Sequence, residues 1–411
     1  MSIYKGSTQL TGGFTPVDNE LSTTSTNPVQ NKVVSETFED LGISAWQKPA
    51  DWIDMRNAAV ANSVYLLVGH AADYSAYNEL TLKAVVSSSG TYNVFVDGIK
   101  IATTASNTDT AINWQTLALT SGWDVTYPSA LRTHIVRITP TDPSHNITAT
   151  RLNSTANQGV LWVHSTLTNN AEYTLGSSSI IANPLLEAVT CSGATLKVSD
   201  LNNFVANCGN LVYLPKIEGA TNAKVNYSFY RCQKLKKVHL VGFAQNNVQI
   251  YNSAPFDNCK ALTSIIFENC KIRIPNWEGA TALKKFPAGN TFHNTQYNDI
   301  RAIGLSSLQD TFFDTSDATT CKRAQFQGTS SVRCDGIKGV TVSSSAPFDG
   351  TSPQINVSYT GLNRVALVNL FNSLPTVSAS QVINITGATG ADDLTAADLA
   401  IATGKGWTVT R

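Results

Sequence analysis

Three stretches of the chain align on one another: Cys208-Gly-Asn-Leu211-Val-Tyr-Leu214, Cys232-Gln-Lys-Leu235-Lys-Lys-Val238 and Cys259-Lys-Ala-Leu262-Thr-Ser-Ile265. Each reads Cys-x-x-Leu-x-x-apolar, and Phe229 and Phe256 precede the second and third at the same offset. The leucines are 24 and 27 residues apart. Weaker copies extend the series through Leu186, Leu283 and Leu308, and Ser253-Ala-Pro-Phe-Asp257 recurs as Ser345-Ala-Pro-Phe-Asp349. A unit of one strand and one turn cannot bury its apolar edge alone, so such units stack. Cys and Phe at fixed offsets then predict ladders inside the stack, with Cys208, Cys232 and Cys259 as reduced thiols.

A period of about 20–29 residues with buried leucines is the leucine-rich-repeat range. The C-terminal end keeps the period and adds helices. Ile355-Asn-Val357, Val382-Ile-Asn-Ile385 and Trp407-Thr-Val-Thr410 read as strands. An amphipathic helix is expected over 362–374, stopped by Pro375, and another from Thr395, its N-cap, through Ala402. Upstream, from Trp46 to about Ser179, the pattern is strand-like, with Asp97-Gly98 between two apolar runs. That dipeptide is a strong hairpin signal, because a type I′ turn needs positive φ at both central residues. Short strands of this kind suggest one antiparallel β-sandwich.

Residues 1–26 are polar and read as an extended anchor. In 27–45, Val29, Val33, Val34, Phe38 and Leu41 fall on one helical face. That stripe either packs on the following domain or joins several chains as a short parallel coiled coil, most naturally three. The expected fold is therefore mainly β and multidomain: anchor (1–26), helical trimerisation stalk (27–45), β-sandwich (46–179) and leucine-rich-repeat solenoid with a strand–helix cap (180–411).

The chain carries 29 Lys+Arg against 29 Asp+Glu. A neutral balance argues against a nucleic-acid binder, whose footprint is basic, and no run approaches the roughly 20 apolar residues of a membrane span. Met1-Ser-Ile-Tyr-Lys-Gly-Ser-Thr8 lacks the apolar core of a signal peptide. Nucleophile-elbow, phosphate-loop and zinc-ligand spacings are all missing, so no enzyme, metal or cofactor is expected. Seven cysteines, an odd number, and six scattered histidines give no disulfide or metal framework. Recognition without charge must rest on aromatic and polar side chains. Tyr227, Tyr230, Tyr251, Trp277, His293 and Tyr297, lying between the leucine-bearing strands, are the candidate contacts. Neutrality further predicts adsorption that responds weakly to salt.

Several segments resemble a known family. Asp18-Asn-Glu-Leu-Ser-Thr-Thr-Ser-Thr-Asn-Pro-Val-Gln-Asn-Lys-Val33 resembles a linker of tail-fibre-like proteins of tailed phages. Trp46-Gln-Lys-Pro-Ala-Asp-Trp52 resembles the entry to the module that often follows it, though Phe95-Val-Asp-Gly98 matches that module's Trp-Gly-Asp-Gly hairpin only loosely. The Phe-x-x-Cys-x-x-Leu units resemble BspA-like leucine-rich repeats, and Ala366–Leu374, Leu394–Asp398 and Gly404–Thr410 resemble the C-terminus of the same phage proteins. The resemblance implies a homotrimeric, receptor-binding fibre of the virion, assembled in the host cytoplasm. It would dock on tail or baseplate proteins by its N-terminus and on a host glycan or protein by its repeats. A head fibre or other decoration protein, a bacterial surface adhesin, and a fibre enzyme that trims surface glycan are the alternatives.

Overall fold

Three sheets account for the described strands. The structure, a computed structural model, describes residues 46–57, 60–117, 123–126, 130–152, 159–176, 183–220, 223–243, 254–270, 277–284, 297–301, 305, 307, 319–325, 340–342, 355–374, 376–377 and 381–411. The expected anchor, and the stalk with Val29, Val33, Val34, Phe38 and Leu41, lie outside these residues. The chain is mainly β, 38% strand against 11% helix, with a solenoid-like stack of about six turns.

The first sheet contains β1 (Val64–Ala71), β3 (Thr91–Val96), β4 (Ile99–Ala105), β6 (Trp123–Thr126), β7 (Ala130–Pro140), β9 (Val160–Ser165) and β11 (Ala188–Cys191). The second contains β2 (Glu79–Val86), β5 (Asp109–Asn113), β8 (Ile147–Leu152), β10 (Ala171–Thr174), β12 (Leu196–Asp200), β13 (Ile217–Gly219), β14 (Lys237–Val241) and β15 (Ser264–Glu268). Alternation sets which face is buried: Tyr92, Val94 and Val96 of β3 and Leu80, Leu82, Ala84 and Val86 of β2 point inward, with the half-buried Asn93, Phe95, Thr81, Lys83 and Val85 between them. The β3–β4 hairpin turns at Asp97 and Gly98, φ 48° and 85°, as the dipeptide predicts.

Both sheets change from antiparallel to parallel pairing at the same stage of the chain. β9 pairs antiparallel with β1 and parallel with β11; β8 pairs antiparallel with β2 and parallel with β10. From β10 onward each strand adds in parallel, through β12, β13, β14 and β15. The expected boundary at 179/180 thus falls inside two continuous sheets, and Lys48–Arg411 is one compact unit. The antiparallel strands template the first turns of the stack, covering an end that would otherwise expose an apolar layer.

The third sheet is wholly parallel: β16 (Tyr297–Arg301), β17 (Thr319–Gln325), β18 (Val340–Val342), β19 (Ile355–Asn356), β20 (Gln381–Asn384) and β21 (Trp407–Thr410). Helix α1 (Arg364–Ser373) is capped by the Asn363 side chain, and Lys405 Nζ donates to the carbonyls of Phe371, Asn372 and Leu374 at its other end. Cations are favourable there because the last carbonyls lack partners. Helix α2 (Ala396–Thr403) opens on Thr395 as expected, in a capping box with Asp398. Asp398 also holds Arg364 at 2.9 Å, and these hydrogen bonds lower its carboxyl to about 2.

Candidate functional site

The repeats set the geometry of the candidate surface. Tyr173, Phe204, Phe229, Phe256 and Trp277 form one ladder, with successive ring centroids 6.3, 6.4, 5.2 and 5.3 Å apart, all buried. Cys208, Cys232 and Cys259 form a second column, fully buried and unpaired, as their spacing predicts. The thiol of Cys232 donates to Val205 O at 3.1 Å and that of Cys259 to Phe229 O at 2.9 Å. Burial pushes the thiols up, Cys208 to about 12, which removes the reactive thiolate. Immediately before each cysteine the backbone takes positive φ: Asn207 (62°), Arg231 (57°) and Asn258 (59°). Gly279 (79°) continues that column. There the chain reverses, so that Phe, Cys and Leu point inward while Tyr230, Arg231, Gln233, Lys234 and Lys260 between them stand outward; Asn207 and Asp257 are buried.

This register corrects one candidate. Trp277 is 0% exposed and stacks on Phe256. Trp277-Glu-Gly-Ala280-Thr-Ala-Leu283 is a fourth copy of Phe-x-x-Cys-x-x-Leu, with Trp in the Phe column and Ala in the Cys column. Its indole is therefore core and cannot touch a receptor. Tyr227 and Tyr230 are half-buried on the outward side, packed edge to face at 5.8 Å. The exposed Arg231 guanidinium lies 4.9 Å from the Tyr230 ring centre, a cation–π contact. Tyr251 and His293 lie outside the described residues. Tyr297 opens β16, but its side chain is likewise outside them.

A cluster invisible in the sequence sits where β1, β7 and the β3–β4 turn meet. His134 Nδ1 lies 2.7 Å from Asp97 Oδ2 and His134 Nε2 lies 3.3 Å from His70 Nε2. His70 Nδ1 lies 2.8 Å from Ala71 O. A carbonyl only accepts, so His70 carries its proton on Nδ1 and accepts at Nε2 from His134. The Trp114 ring lies 5.1 Å from His134 and 5.5 Å from His70, and Tyr74 covers His70 at 5.1 Å. Asp97 Oδ1 also accepts from Ile135 N. The polar groups are spent on one another and on backbone, which clasps the hairpin to β7.

His164 has nucleophile-and-base spacing without the chemistry. Its Nε2 is 3.1 Å from Ser192 Oγ and its Nδ1 is 2.8 Å from Thr190 Oγ1, which also accepts from Trp162 Nε1. No carboxylate orients the ring, and burial, followed by Arg56, lowers its pKa to about 4. An imidazole that resists protonation this strongly is a poor general base. No group of three or more His, Cys, Asp or Glu among the described residues is placed to hold a metal, and no described helix is long and apolar enough to cross a membrane. No protein-family model matches the chain, and no curated protein matches it.

Proposed function

We propose that this chain is an adhesive fibre protein of a tailed phage. It is homotrimeric through the Val29, Val33, Val34, Phe38 and Leu41 stripe and attached by its N-terminus to tail or baseplate proteins. In this reading the antiparallel strands of the first two sheets form a β-sandwich spacer, and the stack is a leucine-rich-repeat solenoid that touches the host surface. The resemblance of the linker and of the C-terminal segment supports the class of protein. The observation that carries the adhesive role is the sorting of aromatics. Five rings fill the interior ladder, while Tyr227 and Tyr230 stand in outward positions with Arg231 against them. Rigid amphipathic side chains on a repeating scaffold suit recognition at low entropic cost.

The test is host adsorption by assembled particles carrying Tyr227→Ala and Tyr230→Ala, with thermal melting of the isolated chain as the folding control. Adsorption should fall at least tenfold with the melting temperature little changed. Wild-type adsorption by the folded double variant would remove this surface from the role.

A further inference from the structure

We propose that the stack edge carrying Tyr227 and Tyr230 binds an anionic polysaccharide, one whose carboxylates recur along the polymer. The inference rests on the adhesive reading above and specifies its ligand.

The outward positions of three successive turns are held in register by backbone. Ala261 N donates to Gln233 O at 3.2 Å, and the Thr281 hydroxyl to Lys260 O at 3.4 Å, so residues 233, 260 and 281 form one column. Thr263 N donates to Lys236 O at 3.0 Å, which starts a second column through 236 and 263 that the repeat carries to Lys284. Arg231 N donates to Asp257 O at 2.8 Å, in the third, positive-φ column. Neighbouring turns are about 4.8 Å apart, the spacing of paired strands. This lattice places Arg231, Lys234, Lys236, Lys260 and Lys284 on one edge, all exposed.

None of these five has a carboxylate within ion-pair distance among the described residues. Several cations elsewhere are paired with carboxylates, whereas, among the described residues, the exposed Lys100, Lys197 and Lys224, scattered over other strands and turns, are not. Arg56 holds Asp54 at 2.7 Å, Arg151 holds Glu172 at 3.0 Å, Lys216 holds Glu268 at 2.8 Å and Arg364 holds Asp398 at 2.9 Å. The acids among the same turns are Asp257, which is buried, Glu278, which is half-buried, and the exposed Glu268, which is held by Lys216 and His239. A chain of zero net charge has thus gathered a local cationic excess on the edge that also carries its outward tyrosine pair. Like charges this close repel one another, and a bound polyanion removes that repulsion.

The partner's chemistry follows from spacing and from the rings. A nucleic-acid strand presents a phosphate about every 3.4 Å, a finer repeat than the turns offer. A polyuronate carries one carboxylate per sugar ring, a coarser repeat that suits cations set on successive turns. Its sugar rings present C–H faces to Tyr227 and Tyr230 while the carboxylates reach Arg231 and the lysines. The neutral composition, read alone, predicts the opposite salt behaviour.

The experiment uses the full chain against immobilised alginate, with neutral dextran and duplex DNA as parallel surfaces. Alginate should bind and dextran should not, and alginate affinity should fall roughly tenfold between about 50 and about 200 mM salt. The triple variant Lys234→Gln, Lys236→Gln, Lys260→Gln should lose at least tenfold while melting like the parent. Tyr230→Ala should weaken binding at every salt concentration. Absent alginate binding, unchanged binding by the triple variant, or DNA binding as tight as alginate binding would overturn the proposal. Particle adsorption separates this idea from the one it rests on. If the tyrosine double variant fails to adsorb while the lysine variant adsorbs normally, the ligand class is wrong and the adhesive role stands. If both adsorb normally although the isolated lysine variant has lost alginate, the site is real and the adhesive role is wrong.

Discussion

Mild acid should destabilise this chain through His164. The ring is 1% exposed, its two nitrogens face the hydroxyls of Thr190 and Ser192, and its pKa is lowered from 6.5 to about 4. Above pH 6.5 neither the folded nor the unfolded chain binds a proton at this position, so the site leaves stability flat. Between 6.5 and about 4 the unfolded imidazole takes a proton that the folded one refuses. Stability therefore falls with pH across that window and levels off below it. The gap, 6.5 − 4, is about 2.5 units; at about 1.36 kcal/mol per unit it amounts to roughly 3 kcal/mol. That is a large share of the ~5–15 kcal/mol that holds a domain folded. His70, whose pKa is also lowered by burial, adds to the loss with the same sign. Asp398 does not contribute there, because its depressed carboxyl costs stability only as pH falls below about 4. Urea titrations at steps between about pH 7 and about pH 4.5 should show the decline. In His164→Gln the neutral-pH stability shifts by an offset, and most of the slope over that window disappears. Identical slopes in parent and variant, or an NMR titration of His164 near its ordinary value, would refute the assignment of this loss to His164.

Phe256→Ala removes the fourth ring of the aromatic ladder and both of its ring contacts, so it should cost about 4–6 kcal/mol by equilibrium denaturation; a loss under about 1 kcal/mol would contradict the packing. Arg231 sits at φ 57° in a column otherwise filled by Asn and Gly. Arg231→Asn should therefore raise stability by roughly 0.5–1 kcal/mol, read from denaturation midpoints, while weakening alginate binding. Cys208, Cys232 and Cys259 should resist thiol reagents in the native chain and react on unfolding, and rapid native labelling of any of the three would break the column assignment.

The repeat was legible wherever its columns keep their residue types. Cys-x-x-Leu and the phenylalanine three residues before it announced the inward ladders, and Asp97-Gly98 and Thr395 announced a turn and a cap through local backbone chemistry alone. The copy at Leu283 showed only by its leucine, because Trp277 and Ala280 replace Phe and Cys, although the spacing 277, 280, 283 is unchanged. Matching by size class would have found it and kept Trp277 out of the surface set. His70 and His134 could not be joined from sequence, since only the antiparallel register of β1 on β7, with Val68 opposite His134 and His70 opposite Arg132, brings them together across 64 residues. The continuity of both sheets past residue 179 was hidden for the same reason: backbone pairing leaves no side-chain signature.

Net charge constrains what a partner meets less than the arrangement of the charges does. Twenty-nine cations and twenty-nine anions sum to zero in any arrangement, and the sum says nothing about what a partner meets. The columns decide that. In the turn of Cys232 the residues one, two and four places after the cysteine and the one before it are all exposed, and in the turn of Cys259 Lys260 and Thr263 are, so a lysine at these offsets joins the same edge as its counterparts one turn away. Acids at Glu172, Glu268 and Asp398 are meanwhile drawn into pairs with Arg151, Lys216 and Arg364. A solenoid turns a sequence period into a spatial lattice. Its exposed charge is therefore best counted by column, and by that count this neutral chain offers a basic, tyrosine-bearing edge.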